Sequence, residues 1–383
     1  MIPDSVLVGI DKLHLTFCMP HKFEQLTEQF PHKFDQYGEI KSFQQMSYPC
    51  PSSCMTLHST IQQDSHHDKK KYFVSERFMP VPEAFQEEFN TQCELLQLQE
   101  ILDNCLPYLN ISQFKRKVDN RKHFRVRYEL VGSYKDVLMT YYTRPKAEYC
   151  SRGAYSMLQI NGLAFYPCPV ITRPFKMDLQ TLAIGALKLN AGVSALDYYL
   201  DDLAGITPVE EIHKMCRPRS YRRYIKSLLV RDQNKRPAAP YAVGSTLYFG
   251  TVPKPKKGDQ APPKPSKTRN GLCFYHKHFD PAHNIFTEGN PLDFSWIRWE
   301  PRLRGKTSQT IGMTLLQALS VDPSSAGALL VAHLRKYFTW VEPSGKKRVS
   351  DCLPQAWWDE LLEKATYNNI PHLVINTPPA LVP

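Results

Sequence analysis

The sequence predicts an α+β chain in which strands come first and a helical region follows. Two patterns carry this. Up to residue 304 most short apolar runs alternate with period two, and after Gly305 the spacing changes to that of helices. Composition bounds the class: of 383 residues, 42% are hydrophobic and 22% charged, a globular balance with ample material for a core.

The elements follow in order. Val6 to Phe17 is apolar at its start and alternates through Leu13, Leu15 and Phe17, which predicts a strand. Gln45 to Lys71 is polar, carries Pro49 and Pro51, and reads as a long loop. Pro82 to Leu106 has helical spacing through Phe85, Phe89, Leu95, Leu98 and Ile101. Phe124 to Val131, Val137 to Tyr142 and Tyr155 to Phe165 read as strands, and Met177 to Leu189 as a helix stopped at Gly192. Strands are expected at Ala195 to Asp202, Thr246 to Gly250, Leu272 to Tyr275 and Trp296 to Arg304. The second and third form a hairpin, interrupted by Pro253 to Asn270, an extended basic loop with five prolines and five lysines. Helices are expected at Ser308 to Leu319, Ser324 to Phe338 and Pro354 to Ala365. No internal repeat is visible in the sequence.

The formal net charge of +11 suits a polyanionic partner. No apolar run is long enough to span a bilayer, and the N-terminus lacks the pattern of a secretory signal. Ten scattered cysteines fit reduced thiols, so the expectation is a soluble cytoplasmic protein. Cys50 and Cys54, with His58, His66 and His67 nearby, read better as a polar loop with free thiols than as a zinc site.

Four segments carry chemistry. On the strand Ala195 to Asp202, Asp197, Tyr199 and Asp201 share a face. Two carboxylates on one face need neutralising, by a divalent cation such as Mg²⁺ or Mn²⁺ or by pairing with arginines. Which of Asp201 and Asp202 takes that face is left open. On the last strand Arg298, Glu300, Arg302 and Arg304 share a face. Glu300 is there either the third metal ligand, with the arginines clamping phosphates, or one member of an ion-pair ladder. Tyr275 ends a short apolar strand, and Lys277 follows two residues later. Ionising a phenol at pH 7 costs roughly 4 kcal/mol, a cost that a neighbouring ammonium lowers. Finally, Arg217 to Arg236 is dense in bases, Arg219, Arg222, Arg223 and Lys226 among them, and reads as a phosphate-tracking helix.

The order and content of these segments resemble rolling-circle replication initiators, of the filamentous-phage and Rep-trans plasmid types. Asp197, Asp201 and Asp202 match the first element of that pattern and Thr246 to Gly250 the second. Tyr275 and Lys277 match the third, and Arg298, Glu300 and Arg304 the last. Ala195 stands where an arginine is usual, and Thr251 opens a long insertion where a compact turn is common. The resemblance implies an antiparallel sheet with helices on one face, related to the RNA-recognition fold, in a nicking and joining domain over residues 1–305. The motif core spans 190–305, a polar insertion lies near 40–75, and residues 306–383 form the helical region.

It implies metal-dependent cutting and rejoining of one DNA strand at a replication origin. Tyr275 would be the nucleophile and Lys277 its aid, with Asp197, Asp201 and Glu300 holding Mg²⁺ or Mn²⁺. Arg298, Arg302, Arg304, Arg219, Arg222, Arg223 and Lys226 would hold DNA. The partners would be origin DNA and a host helicase or polymerase, in a bacterial cytoplasm and with no membrane contact. A mobilisation relaxase or transposase with the same chemistry, and a non-catalytic single-strand binding protein, are the alternatives.

Overall fold

The structure, a computed structural model, describes residues 6–17, 83–118, 124–132, 137–145, 156–165, 177–217, 220–231, 236–238, 240–243, 246–250, 269–277, 296–345 and 348–367. The segment holding Cys50, Cys54 and His58 and nearly all of the Pro/Lys loop lie outside the described residues.

The frame is a ten-stranded sheet in which every described pairing is antiparallel. In chain order its strands are β1 (Val6–Phe17), β2 (Phe114–Val118), β3 (Phe124–Val131), β4 (Val137–Pro145), β5 (Ser156–Asn161), β6 (Gly192–Asp202), β8 (Pro240–Val243), β9 (Thr246–Gly250), β10 (Gly271–His276) and β11 (Ile297–Arg304). Across the sheet they run β2-β3-β4-β5-β1-β6-β11-β10-β9-β8. The short β7 (Ile225–Ser227) pairs separately with β12 (Phe338–Trp340). The helices are α1 (Glu83–Cys105), the single turn α2 (Gly162–Phe165), α3 (Leu179–Lys188), α4 (Val209–Met215), α5 (Lys306–Val321), α6 (Ser325–Tyr337) and α7 (Ala356–Tyr367). The α+β class and the helical C-terminal region are as the sequence predicts. The sheet is far wider than an RNA-recognition fold.

This width has a simple origin in topology. β1 leads through α1 into the meander β2 to β5, whose last strand returns to pair with β1. β6 leads through α4 into β8 to β11, whose last strand returns to pair with β6. The two units join where β1 meets β6, so the chain repeats its connectivity although no repeat shows in its sequence.

One sheet face is apolar. Val6, Val8, Ile10, Leu13, Leu15 and Phe17 of β1 pack with Leu196, Tyr198 and Leu200 of β6 and Leu303 of β11 in one hydrophobic cluster. Helices α5, α6 and α7 supply Leu315, Leu316, Leu330, Leu334, Leu361 and Leu362 to that cluster. Trp299, Trp340 and Trp358 are fully buried there, the rings of Trp299 and Trp358 edge to face at 5.3 Å. Truncating such a Trp to Ala removes about 3–5 kcal/mol. The helices after Gly305 therefore cover the sheet that carries the motifs.

Three local expectations are corrected. Helix α3 is closed by Asn190, at φ 51°, with the Ala191 N–H donating to the Ala186 carbonyl at 2.8 Å. Asn tolerates this left-handed conformation, so Gly192 is free to begin β6. Strand β5 ends at Asn161, and Gly162–Phe165 is a helical turn. Within 217–236 the described residues hold a 3₁₀ turn at Tyr221–Arg223 and β7, with no α-helix. Burial decides this: Tyr221, Ile225, Ser227, Leu229 and Val230 are buried at a spacing that one helical face does not provide.

Candidate active site

The opposite face of the sheet is polar at its centre, where β1, β6, β11 and β10 lie side by side. Cross-strand register sets the neighbours. Asp201 lies opposite Arg298, and Arg298 opposite Tyr275; Asp197 lies opposite Arg302, and Glu300 opposite Cys273. Alternation then puts Asp197, Tyr199, Asp201, Arg298, Glu300, Arg302, Arg304 and Tyr275 on one side, as the sequence predicts.

Tyr275 is half-buried, and its hydroxyl donates to Glu300 Oε2 at 2.8 Å. Lys277 is 3% exposed, with Nζ 5.5 Å from the Tyr275 ring centroid. Its backbone N–H donates to the Trp296 carbonyl at 2.9 Å, carrying the hairpin register one residue past β10. Arg302 Nε donates to Glu300 Oε1 at 2.6 Å. Burial alone would raise the Glu300 carboxyl, but Arg302, Arg298 and the Tyr275 hydroxyl outweigh it and hold it below its ordinary value. Glu300 is thus a carboxylate that stays charged beside a phenol.

Arg298 is fully buried and bridges two strands. Its Nε and Nη2 each donate to Asp201 at 2.6 Å, and Nη1 donates to Asp11 of β1 at 2.8 Å. Its guanidinium lies 4.2 Å from the centroid of the Tyr199 ring. Tyr199 in turn lies over Gly9, where a Cβ would stand 2.3 Å from the Tyr199 hydroxyl oxygen. Arg304 grips Asp197 through both Nη atoms. Burial raises the carboxyl groups of Asp197 and Asp11, opposed by Arg304 at the first and by Arg298 at the second.

Asp202 is turned away from this cluster. Its carboxylate accepts from the backbone N–H groups of Ala204, Ile206 and Thr207, capping the turn after β6. Of the pair, Asp201 is the one that faces the cluster, bound to Arg298.

The expected metal triad does not gather. Asp197 and Asp201 are four residues apart on one strand, which separates their Cα atoms by ~13 Å. Oxygen ligands of Mg²⁺ lie about 2 Å from the ion. Asp197, Asp201 and Glu300 each hold an arginine instead. Among the described residues no group of three His, Cys, Asp or Glu side chains is placed to hold a metal. As arranged, Asp197, Asp201 and Glu300 do not fit one ion.

The predicted DNA-binding residues divide. Arg302 and Arg304 keep 36% and 18% of their side chains exposed on the site face, whereas Arg298 is enclosed. Arg222, Arg223 and Lys226 are exposed on the turn and β7, apart from the central strands, and Lys226 Nζ donates to the Ser350 carbonyl at 3.3 Å. Arg219 lies outside the described residues.

Asp11, bound to Arg298, and Lys12, opposite Asp197, also join this cluster, which the sequence reading does not include. The buried parity of β1 switches from Val6, Val8 and Ile10 to Leu13, Leu15 and Phe17. A switch of parity requires one extra residue, and the register shifts between Ile10 and Lys12. That bulge brings Asp11 to Arg298. Gly9 inside an apolar strand was the second available signal, marking a close approach.

No protein-family model matches the chain, and no curated protein matches it. Among solved structures it is similar to a rolling circle replication initiator protein from Geobacillus stearothermophilus. The match covers 94% of this chain and 97% of that one, at 13% identity and a TM-score of 0.49. No helix among the described residues is long and apolar enough to cross a membrane.

Proposed function

We propose that this chain cuts and rejoins one strand of DNA through Tyr275, in the manner of a rolling-circle replication initiator. The observation that carries the reading is the hydrogen bond from the Tyr275 hydroxyl to Glu300, a carboxylate kept ionised by two arginines. A phenol near pKa 10 needs a base within hydrogen-bond reach to act as a nucleophile at neutral pH.

The step balances as a transesterification. The Tyr275 oxygen bonds to phosphorus as its proton passes to Glu300. The bond from phosphorus to the 3′-oxygen breaks, and that oxygen leaves as a 3′-hydroxyl after taking up a proton. The product is a 5′-phosphotyrosyl link that retains the energy of the broken bond, so rejoining needs no nucleotide cofactor. Lys277 faces the charge on the phenolic oxygen, and Arg302 and Arg304 face the flanking phosphates. Arg298, Asp11 and Asp201 form the rigid floor that fixes β11 against β6 and β1.

The test uses supercoiled plasmid carrying the chain's own gene and flanking DNA. After incubation and denaturation, a covalent protein–DNA adduct and a nicked circle are expected with the native chain, and neither with Tyr275→Phe. An adduct that persists in Tyr275→Phe removes Tyr275 from the role. Its absence from the native chain, with DNA still bound, favours the single-strand binding alternative.

A further inference from the structure

Beside the reactive tyrosine lies a feature that the chemistry above does not use. Tyr241 of β8 and Tyr248 of β9 stand opposite each other, their rings stacked with centroids 5.4 Å apart and planes 19° apart. Both are half-buried. Tyr248 pairs with Cys273, and Cys273 with Glu300, so the aromatic pair continues the cross-strand row that holds the acceptor of Tyr275. From Tyr275 to Tyr248 is two residues along and one strand across, about 8 Å. That distance is within a nucleotide's reach.

The next row on the same face is Gly250, Gly271 and Arg302. Neither glycine has a positive φ. A Cβ at Gly250 would come no closer than 3.6 Å to another atom, and one at Gly271 no closer than 3.4 Å. The backbone therefore does not demand glycine at Gly250. What the two glycines provide is a bare floor beside the stacked rings, with the half-exposed Arg302 at its margin. The Tyr241 hydroxyl is buried and finds no hydrogen-bond partner among the described residues, so the open part of this pair is its ring faces. Burial also pushes this phenol up to about 12, so it remains protonated.

We propose that Tyr241, Tyr248 and the Gly250–Gly271 floor form a subsite for an unpaired nucleobase next to the phosphate that Tyr275 attacks. Arg302 meets the phosphate between them. The proposal rests on the strand-cutting reading and adds to it the requirement that the substrate be unpaired at this position. Stacking on an aromatic face is tolerant of sequence and strong enough to be read by substitution. A cross-strand tyrosine pair that only braced the sheet would contribute to stability and nothing to binding.

The experiment measures binding of the full chain to oligothymidylate and to an abasic deoxyribose-phosphate oligomer of equal length. The native chain is expected to prefer the base-bearing strand. Tyr248→Ala should weaken that binding by about tenfold while leaving the abasic affinity unchanged, and Tyr248→Phe should restore it. Gly250→Val leaves both rings in place and fills the floor, so it should weaken the same binding without loss of fold. Equal affinity of native, Tyr248→Ala and Gly250→Val chains for oligothymidylate overturns the subsite. If the native chain still forms the Tyr275 adduct, only the subsite falls; if it binds neither oligomer and forms no adduct, the strand-cutting reading falls with it.

Discussion

Tyr275 and Glu300 lie on adjacent strands two residues out of register, and the phenol of one donates to the carboxylate of the other at 2.8 Å. This diagonal contact exists because β10 and β11 present alternate residues to the same face. It places a charged acceptor, itself held by Arg302, within hydrogen-bond reach of the phenolic proton. Glu300→Gln keeps the shape and removes the base. The rate of adduct formation is expected to fall by about 10²–10⁴-fold, with DNA affinity changed little. Single-turnover kinetics on the supercoiled plasmid, beside a binding isotherm, separate the two quantities.

Arg298 predicts a stability effect. It is enclosed by Asp201 and Asp11, so Arg298→Ala leaves two carboxylates at the centre of the sheet without their cation. A loss of about 3–5 kcal/mol is expected, read as a lower urea midpoint. Adding Asp201→Asn to that variant should recover part of the loss, because it removes one of the stranded charges.

Gly9 predicts a steric effect at a distance from the reacting atoms. Any side chain there enters the space of the Tyr199 ring, on which Arg298 rests. Gly9→Val is expected to destabilise by about 1–3 kcal/mol and to slow nicking by displacing Arg298. The matched variant Tyr199→Ala with Gly9→Val relieves the clash and should regain stability. Thermal unfolding of the two variants decides.

Two histidines predict how stability varies with pH. Burial lowers His14 to about 3 and His333 to about 4. His333 Nδ1 lies 2.7 Å from the Tyr198 hydroxyl, and its Nε2 finds no partner among the described residues. Both side chains stay neutral in the folded chain while the unfolded chain protonates them near pH 6.5. Between pH 6.5 and about 4 the unfolded state binds more protons, so stability falls on acidification, by up to about 1.4 kcal/mol per pH unit for each histidine. His14→Gln should flatten that slope by one proton. Urea titrations at pH 4.5, 5.5 and 7 measure it.

Much of the site was legible because strands write their faces into the sequence. Period-two alternation put Asp197 and Asp201, Arg298 and Glu300, and Tyr275 and Lys277 on common faces, and those faces coincide in the sheet. Asp11 was also legible in principle, through the parity switch in β1, but a bulge is easily read as a break in pattern. The segment after Arg217 misled because its basic residues suit a solvated helix, while its fate was set by Ile225 and its neighbours pairing with β12.

The sequence by itself determined which residues alternate, where the helices begin, and which strands carry the acids, the arginines and the tyrosine that share a face. Only the tertiary structure decided that Asp197, Asp201 and Glu300 each meet an arginine, that Asp202 caps a turn while Asp201 faces the cluster, and that two units of like connectivity share one sheet. The reason is physical. Alternation is a local property of the backbone, whereas partners such as Asp11 and Arg298, 287 residues apart, are chosen by cross-strand register and by the need to neutralise every buried charge.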